Sequence, residues 1–304
     1  MAKKIKSITR FSYAMGKVIF GQDTPVQGEE YKSNFILFDE NGNAIETLKY
    51  NNEGEVEERN TCVYDSFGNV IEEETYYALD EISEKVTLKR DDKSLILEET
   101  TTFGDGSQEI SIYNRYDGRN LLEKIKFDED NKKESREELY YNDQKLLTEL
   151  KRYDENDKLN EHQTFAYDDK DNVIEVVMYD SSGKITARKE NHFNEHGVEV
   201  ESIEFNAKGE RTAKTISHYD ENGNLVEREF KDFHSKTMKM EYDENNRCIQ
   251  EDVYDENDTL IRRTTNENDE EGNLVSDTFF NADLSRGGRD EYTGNRYEYE
   301  FYSN

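Results

Sequence analysis

The sequence predicts an all-β fold, an antiparallel meander of about twenty short strands built from a tandem repeat of about 26 residues. Three observations carry this reading. A five-residue turn recurs along the chain behind an aromatic anchor, best seen at Phe38-Asp-Glu-Asn-Gly42, Tyr64-Asp-Ser-Phe-Gly68, Tyr179-Asp-Ser-Ser-Gly183 and Tyr219-Asp-Glu-Asn-Gly223. Its anchors fall at 38, 50, 64, 76, 90, 103, 116, 127, 141, 153, 167, 179, 193, 205, 219, 230, 242, 254, 268 and 280, and only Arg90 and Asn268 are not Phe or Tyr. The spacing alternates, mostly 12 and then 14 residues, which leaves one strand length between turns.

The turn itself follows from its residues. Counting the anchor as position 0, position +1 is mostly Asp or Asn, whose side chain bonds backbone two residues on. Position +4 is mostly Gly, Asn or Asp, the residues that best tolerate positive φ. A type I turn followed by a left-handed residue is the three-residue hairpin loop with a bulge, in which the anchor faces position +6 across the hairpin. Position +6 is usually apolar, as at Val70, Val173, Ile185, Leu225, Leu260 and Leu274, so each turn is expected to be clamped by a cross-strand pair.

The even spacings, with side chains alternating at period two, predict that all anchors lie on one face of the sheet. Odd spacings, such as 116 to 127 and 219 to 230, predict bulges or register changes. Many units followed by a 12-residue spacing carry apolar residues at both +6 and +7, as at Val70-Ile71, Val173-Ile174 and Leu274-Val275, and so does the unit at Tyr219, with Leu225-Val226. Burial on both faces of alternate strands predicts a sheet that curls on itself, a superhelix or solenoid.

The domain plan is an N-terminal cap over 1–37, which lacks the repeat and holds the only proline, Pro25; the repeat sheet over 38–284; and a closing strand over 285–304. In that last segment Tyr297, Tyr299 and Phe301 alternate onto one face.

Composition bounds the function. Among 304 residues only 33% are apolar, 37% are charged and Trp is absent, so a thin repetitive sheet is affordable and a thick core is not. The net charge is −31, yet residues 1–20 carry five basic side chains and no acidic one. The remainder therefore carries −36 (−31 minus 5), a field that repels nucleic acid and anionic membranes and attracts basic proteins. Such charge also keeps a long sheet soluble. No apolar run reaches membrane-span length, and the start is too interrupted for a secretory h-region, so a cytoplasmic location is expected. Cys62 and Cys248 are read as isolated thiols, buried small residues in a reducing compartment.

Chemistry-bearing motifs are missing. There is no nucleophile elbow, phosphate loop or dinucleotide fingerprint. His192 and His196 flank the Phe193 turn at different points of a hairpin, and Asp220-Glu-Asn-Gly-Asn224 does not match the EF-hand loop. Neither a catalytic group, a metal nor a cofactor is expected. The informative feature is acid density on strands, where Glu72, Glu73, Glu74, Glu199, Glu201, Glu204, Glu227 and Glu229 are the candidate partner-binding residues.

The Tyr-Asp-x-x-Gly-Asn-Leu unit, clearest from Tyr219 to Leu225, resembles the YD repeat of the bacterial RHS family over roughly residues 38 to 284. That resemblance implies long β-sheets wound into shells or filaments, often around polymorphic toxins. The chain departs from toxin-bearing members in being far shorter and in carrying nothing after residue 284 like their autoproteolytic core. It is also similar to short bacterial repeat antitoxins built from MORN-like hairpins. Together these lead to the first expectation, a non-enzymatic immunity protein that binds and neutralises a basic toxin such as a nuclease. The alternative is a structural or cell-surface repeat module that binds carbohydrate through its aromatic rows.

Overall fold

A computed structural model describes residues 3–16, 27–77, 83–232, 234–282 and 290–303, with the side chains of 108–110 left out; Pro25 lies outside them. Strands make up nearly all of the described chain, and it contains no helix. The chain divides into two compact units, Met1–Thr61 with Ile216–Asn304, and Cys62–Thr215.

In the first unit lie β1 (Ile5–Ala14), β2 (Tyr31–Phe38) and β3 (Ala44–Tyr50), followed later in sequence by β17 (Leu225–Lys231), β18 (Lys236–Tyr242) and β19 (Cys248–Tyr254). It ends with β20 (Leu260–Asn268), β21 (Leu274–Asn281) and β22 (Glu291–Phe301). The second unit holds β5 (Val70–Tyr76), β6 (Glu84–Arg90), β7 (Ile96–Phe103), β8 (Gln108–Asp117) and β9 (Asn120–Phe127). It continues with β10 (Lys133–Tyr141), β11 (Leu147–Tyr153), β12 (Leu159–Tyr167), β13 (Val173–Asp180), β14 (Ile185–Phe193) and β15 (Glu199–Asn206). Strands β4 (Val56–Tyr64) and β16 (Arg211–Tyr219) span the division.

The described pairings are antiparallel and join sequence neighbours, with one exception that decides the topology. Strand β1 pairs with β2 on one side and with β22 on the other, for example Tyr13↔Gly294 and Ile8↔Tyr299. With all 22 strands in one sheet, the connectivity is that of a closed β-barrel. This corrects the expected superhelix or solenoid. The reason is edge protection: residues 5–14, which the repeat does not reach, supply a strand that satisfies the backbone of both flanking strands.

The hairpin geometry matches the turn reading. Anchor pairs with +6 at Phe38↔Ala44, Tyr50↔Val56, Tyr153↔Leu159, Tyr167↔Val173 and Tyr254↔Leu260. The +4 residue is left-handed in fifteen described turns, from Asn131 (φ 57°) to Gly272 (φ 93°), whereas after anchors 103 and 116 the left-handed residue is Gly106 at +3 and Gly118 at +2. In the turns that end Gly/Asp-Asn, the +1 carboxylate accepts the +5 side-chain amide as well as two backbone N–H groups. Asp220 does so from Asn224 Nδ2 at 2.9 Å and from Asn222 N and Asn224 N at 2.9 and 2.8 Å. The short 116-to-127 spacing is a two-residue loop, with Tyr116 opposite Leu121 and Asp117 opposite Asn120.

The single-face expectation for the anchors fails, and a bulge explains why. After the 0↔+6 pair the register skips position +7, so that Leu37 meets Glu46 and Ala166 meets Glu175. One extra residue inverts the alternation in the strand that follows. Tyr167 therefore shares a face with Gln163 and Glu161, which pair with Leu150 and Arg152. Tyr179 lies on the opposite face, opposite His162, whose ring stacks on it at 4.9 Å.

The same bulge revises the apolar +6/+7 pairs. Ile174 falls in step with Val176 and Met178, on the face of Tyr167, so the pair backs one anchor rather than filling two faces. A thin architecture results, in which the buried apolar residues, among those described, are Tyr13, Val177, Val253 and Ile261, each still 8–9% exposed.

Candidate functional site

The eight sequence-selected acids lie on three strand regions, and most face cations of the chain itself. Glu72 and Glu74 alternate onto one face of β5, where Lys85 Nζ reaches both, at 2.7 and 3.2 Å. The two carboxylates hold that ammonium above its ordinary pKa, chiefly through the Glu72 hydrogen bond. Glu73 points to the other face and is exposed. On β15, Glu201 takes Lys214 at 2.5 Å, Glu204 is exposed opposite Lys189, and Glu199 pairs across its turn with Phe193.

Glu227 and Glu229 sit two residues apart on β17, and with His218 they form a group whose ligating atoms all lie within 4.8 Å of one another. Three such ligands could hold a divalent cation. Glu229 already accepts Lys231 Nζ at 2.9 Å and contacts His218 Nε2 at 3.2 Å, and these two partners hold its carboxyl below the usual range, Lys231 foremost. Glu227 lies opposite Lys239. The arrangement reads as an ion-pair network on the sheet surface.

What the sequence reading passed over is the turn tip. Position +2 carries an acid in most turns of the set opened by anchors 38, 64, 90, 116, 141, 167, 193, 219, 242 and 268: Glu40, Asp92, Asp143, Asp169, Glu195, Glu221, Glu244 and Glu270. All eight are exposed, and among the described residues only Glu195 has an ion-pair partner, His196. Turns of one set lie at the same end of their strands, roughly 9–10 Å apart where two strands separate them. The +1 Asp or Asn beside each acid is consumed by its own turn; the +2 acid is not. Position +2 has no role in turn chemistry, and that neutrality is the signal that could have singled it out.

Neighbouring turns of this set are tied together. Asn69 Nδ2 donates to Ser94 Oγ (3.0 Å), Lys170 Nζ to Glu195 O (2.7 Å), Asn224 Nδ2 to Asn246 Oδ1 (2.9 Å) and Arg247 Nη1 to Asp269 O (3.3 Å). The tips are therefore presented on held backbone. Buried polar clusters serve the frame: Asp252, 5% exposed, binds Arg263 and Tyr254, and Arg263 keeps its carboxyl low. Cys62 and Cys248 are free and part-buried, their thiols pushed up by burial.

No protein-family model and no curated protein matches the chain. Similar solved structures include TcdB2-TccC3, at 9% identity over 90% of this chain with a TM-score of 0.31. The Photorhabdus luminescens Tc holotoxin pore follows at 12% identity, 86% coverage and a TM-score of 0.29. A porin-like protein from Bacteroides uniformis gives 12% identity and a TM-score of 0.29 over 98% of this chain and 99% of its own. The chain spans about a fifth of the length of the two Tc chains, 20% and 18%. At these scores the likeness assigns neither a family nor an activity.

Proposed function

We propose that this chain is a non-enzymatic binding protein that captures a basic protein through its acidic turn tips and exposed strand acids, and so neutralises it in the manner of a cytoplasmic immunity protein. A basic toxin domain, such as a nuclease with a cationic active site, has the chemistry such a surface selects.

The observation that carries this reading is the division of labour between acids. Lys85, Lys214 and Lys231 are spent on strand carboxylates, whereas among the described residues the carboxylates of Glu40, Glu221, Glu244 and Glu270 in one unit, and Asp92, Asp143 and Asp169 in the other, take no ion pair, although Lys4 donates to the Glu40 carbonyl. A row of like charges fixed on hydrogen-bonded turns costs self-repulsion that a cationic partner would relieve, and it would raise the association rate. Carbohydrate binding by aromatic rows is less well supported, because the hydroxyls of Tyr116, Tyr141, Tyr167 and Tyr242 are donated to backbone carbonyls.

The test is affinity capture from the native cell extract in low and high salt, followed by identification of what is held. A basic protein retained at low salt and released by salt supports the reading; recovery of none overturns it.

A further inference from the structure

Between the turns at 168–172 and 194–198 the surface opens into a cleft of about 510 Å³, lined by Asp169, Lys170, Ile174, Asn191, Phe193 and Glu195 among others. Asn191 stands in it only 9% exposed. Its Nδ2 donates to Val173 O at 2.8 Å, which fixes the amide, while its Oδ1 is buried without any donor. Buried acceptors without a partner are rare in native proteins and call for an explanation.

The surroundings say what donor would fit. Asp169 and Glu195 are exposed tip carboxylates, and Phe193 offers an aromatic ring. Asp168 is unavailable, because its carboxylate accepts Lys170 N, Asn172 N and Asn172 Nδ2. Lys170 Nζ donates to the Glu195 carbonyl at 2.7 Å instead of to the orphaned oxygen. Asn114 donates to Ile96 O in the same way and also leaves Oδ1 without a donor, but Gly118 and Arg119 form the tip of its turn where the Phe193 turn carries Glu195.

We propose that this cleft receives an arginine guanidinium from the basic partner, one N–H donating to Asn191 Oδ1, the plane lying against Phe193, and Asp169 and Glu195 supplying the counter-charge. A guanidinium combines directional donors, weak hydration and affinity for aromatic faces, where an ammonium is a strongly hydrated point charge. The inference rests on the reading above that the partner is basic.

The test uses the full chain titrated with a tri-arginine peptide and, separately, a tri-lysine peptide, followed by NMR of the Asn191 side-chain amide and the Phe193 ring. Expected is saturable, localised binding of tri-arginine that weakens about tenfold with tri-lysine and about tenfold in D169N/E195Q. The control E129Q/E155Q, at two exposed acids outside the set of turns that holds Asp169 and Glu195, should bind like the parent. These exposed tips are used because replacing Asn191 would also break its bond to Val173. Shifts spread evenly over all turn tips, equal binding of tri-lysine, or equal loss in both double variants would overturn the inference. Unimpaired capture of a basic protein by D169N/E195Q would overturn it while leaving the function standing. Saturable tri-arginine binding by a chain that captures no basic protein would sustain the cleft and remove the function.

Discussion

Arg90 Nε donates to the carbonyl of Val70 at 3.2 Å, occupying the place that tyrosine fills in other repeats. Tyr116 reaches Ile96 O, Tyr141 reaches Leu121 O, Tyr167 reaches Leu147 O and Tyr242 reaches Leu225 O, at 2.7 to 3.0 Å. Each acceptor opens the returning strand of the preceding turn in the same set. Where the anchor has no suitable donor, Asn two residues earlier takes over: Asn191 to Val173 O beside Phe193, and Asn266 to Cys248 O beside Asn268. The anchor is thus a bond between hairpins as well as a clamp within one. Tyr167→Phe should lower unfolding free energy by about 0.5–1.5 kcal/mol. Arg90→Tyr should be near neutral and Arg90→Leu destabilising, as denaturant titration would show.

Lys145 holds the left-handed +4 position at φ 66°, which glycine fills in eight of the fifteen described left-handed +4 positions. Lys145→Gly should therefore raise stability by roughly 0.5–1 kcal/mol, and Gly223→Ala should lower it by a similar amount. A rise in Tm for the first and a fall for the second checks this.

Gly294 is the tight point where β22 meets β1. A Cβ there would lie 2.5 Å from the ring of Tyr13, its cross-strand partner. Gly294→Val should displace Tyr13 and open the β1–β22 seam, read as faster amide exchange in 5–14 and 291–301 than elsewhere. Uniform exchange change along the chain would contradict the placement.

Acid should weaken the hairpins within a defined window. Asp39, Asp65, Asp168, Asp220 and Asp269 are held below the ordinary value of 3.8, first by the side-chain amides of Asn43, Asn69, Asn172, Asn224 and Asn273. A depressed folded pKa gives stability that is fully present above 3.8 and lost as pH falls through the lower folded values. Partial relief of net negative charge above that window acts in the opposite direction. Tm should therefore change little or rise on mild acidification and drop below about pH 4. In base, burial and the bond to Asp277 push Tyr297 up to about 12. Its neutral form stabilises the fold below pH 10, and that contribution disappears as pH rises from 10 through about 12.

Turn type, the left-handed +4 residue, the 0↔+6 pair and the meander were legible because local residue chemistry determines them. Closure was not, since the pairing of Ile8 with Tyr299 joins segments that lie outside the repeat. Nor was the face of the anchors, because the bulge at +7 is a tertiary event that leaves spacing unchanged while inverting alternation. The strand acids were visible in sequence, but their partners Lys85, Lys214 and Lys231 are set by register. The tip acids were equally visible and passed unnoticed beside the turn-forming Asp.

The most direct measurement compares capture of the basic partner by the parent chain, by a variant with Glu40, Glu221, Glu244 and Glu270 changed to Gln, and by a variant with Glu72, Glu74, Glu201 and Glu229 changed to Gln. Both variants lose four charges, so net charge is matched. The predicted result is weakened, less salt-sensitive binding in the tip variant and near-parental binding in the strand variant. Full binding by the tip variant with loss in the strand variant would contradict it.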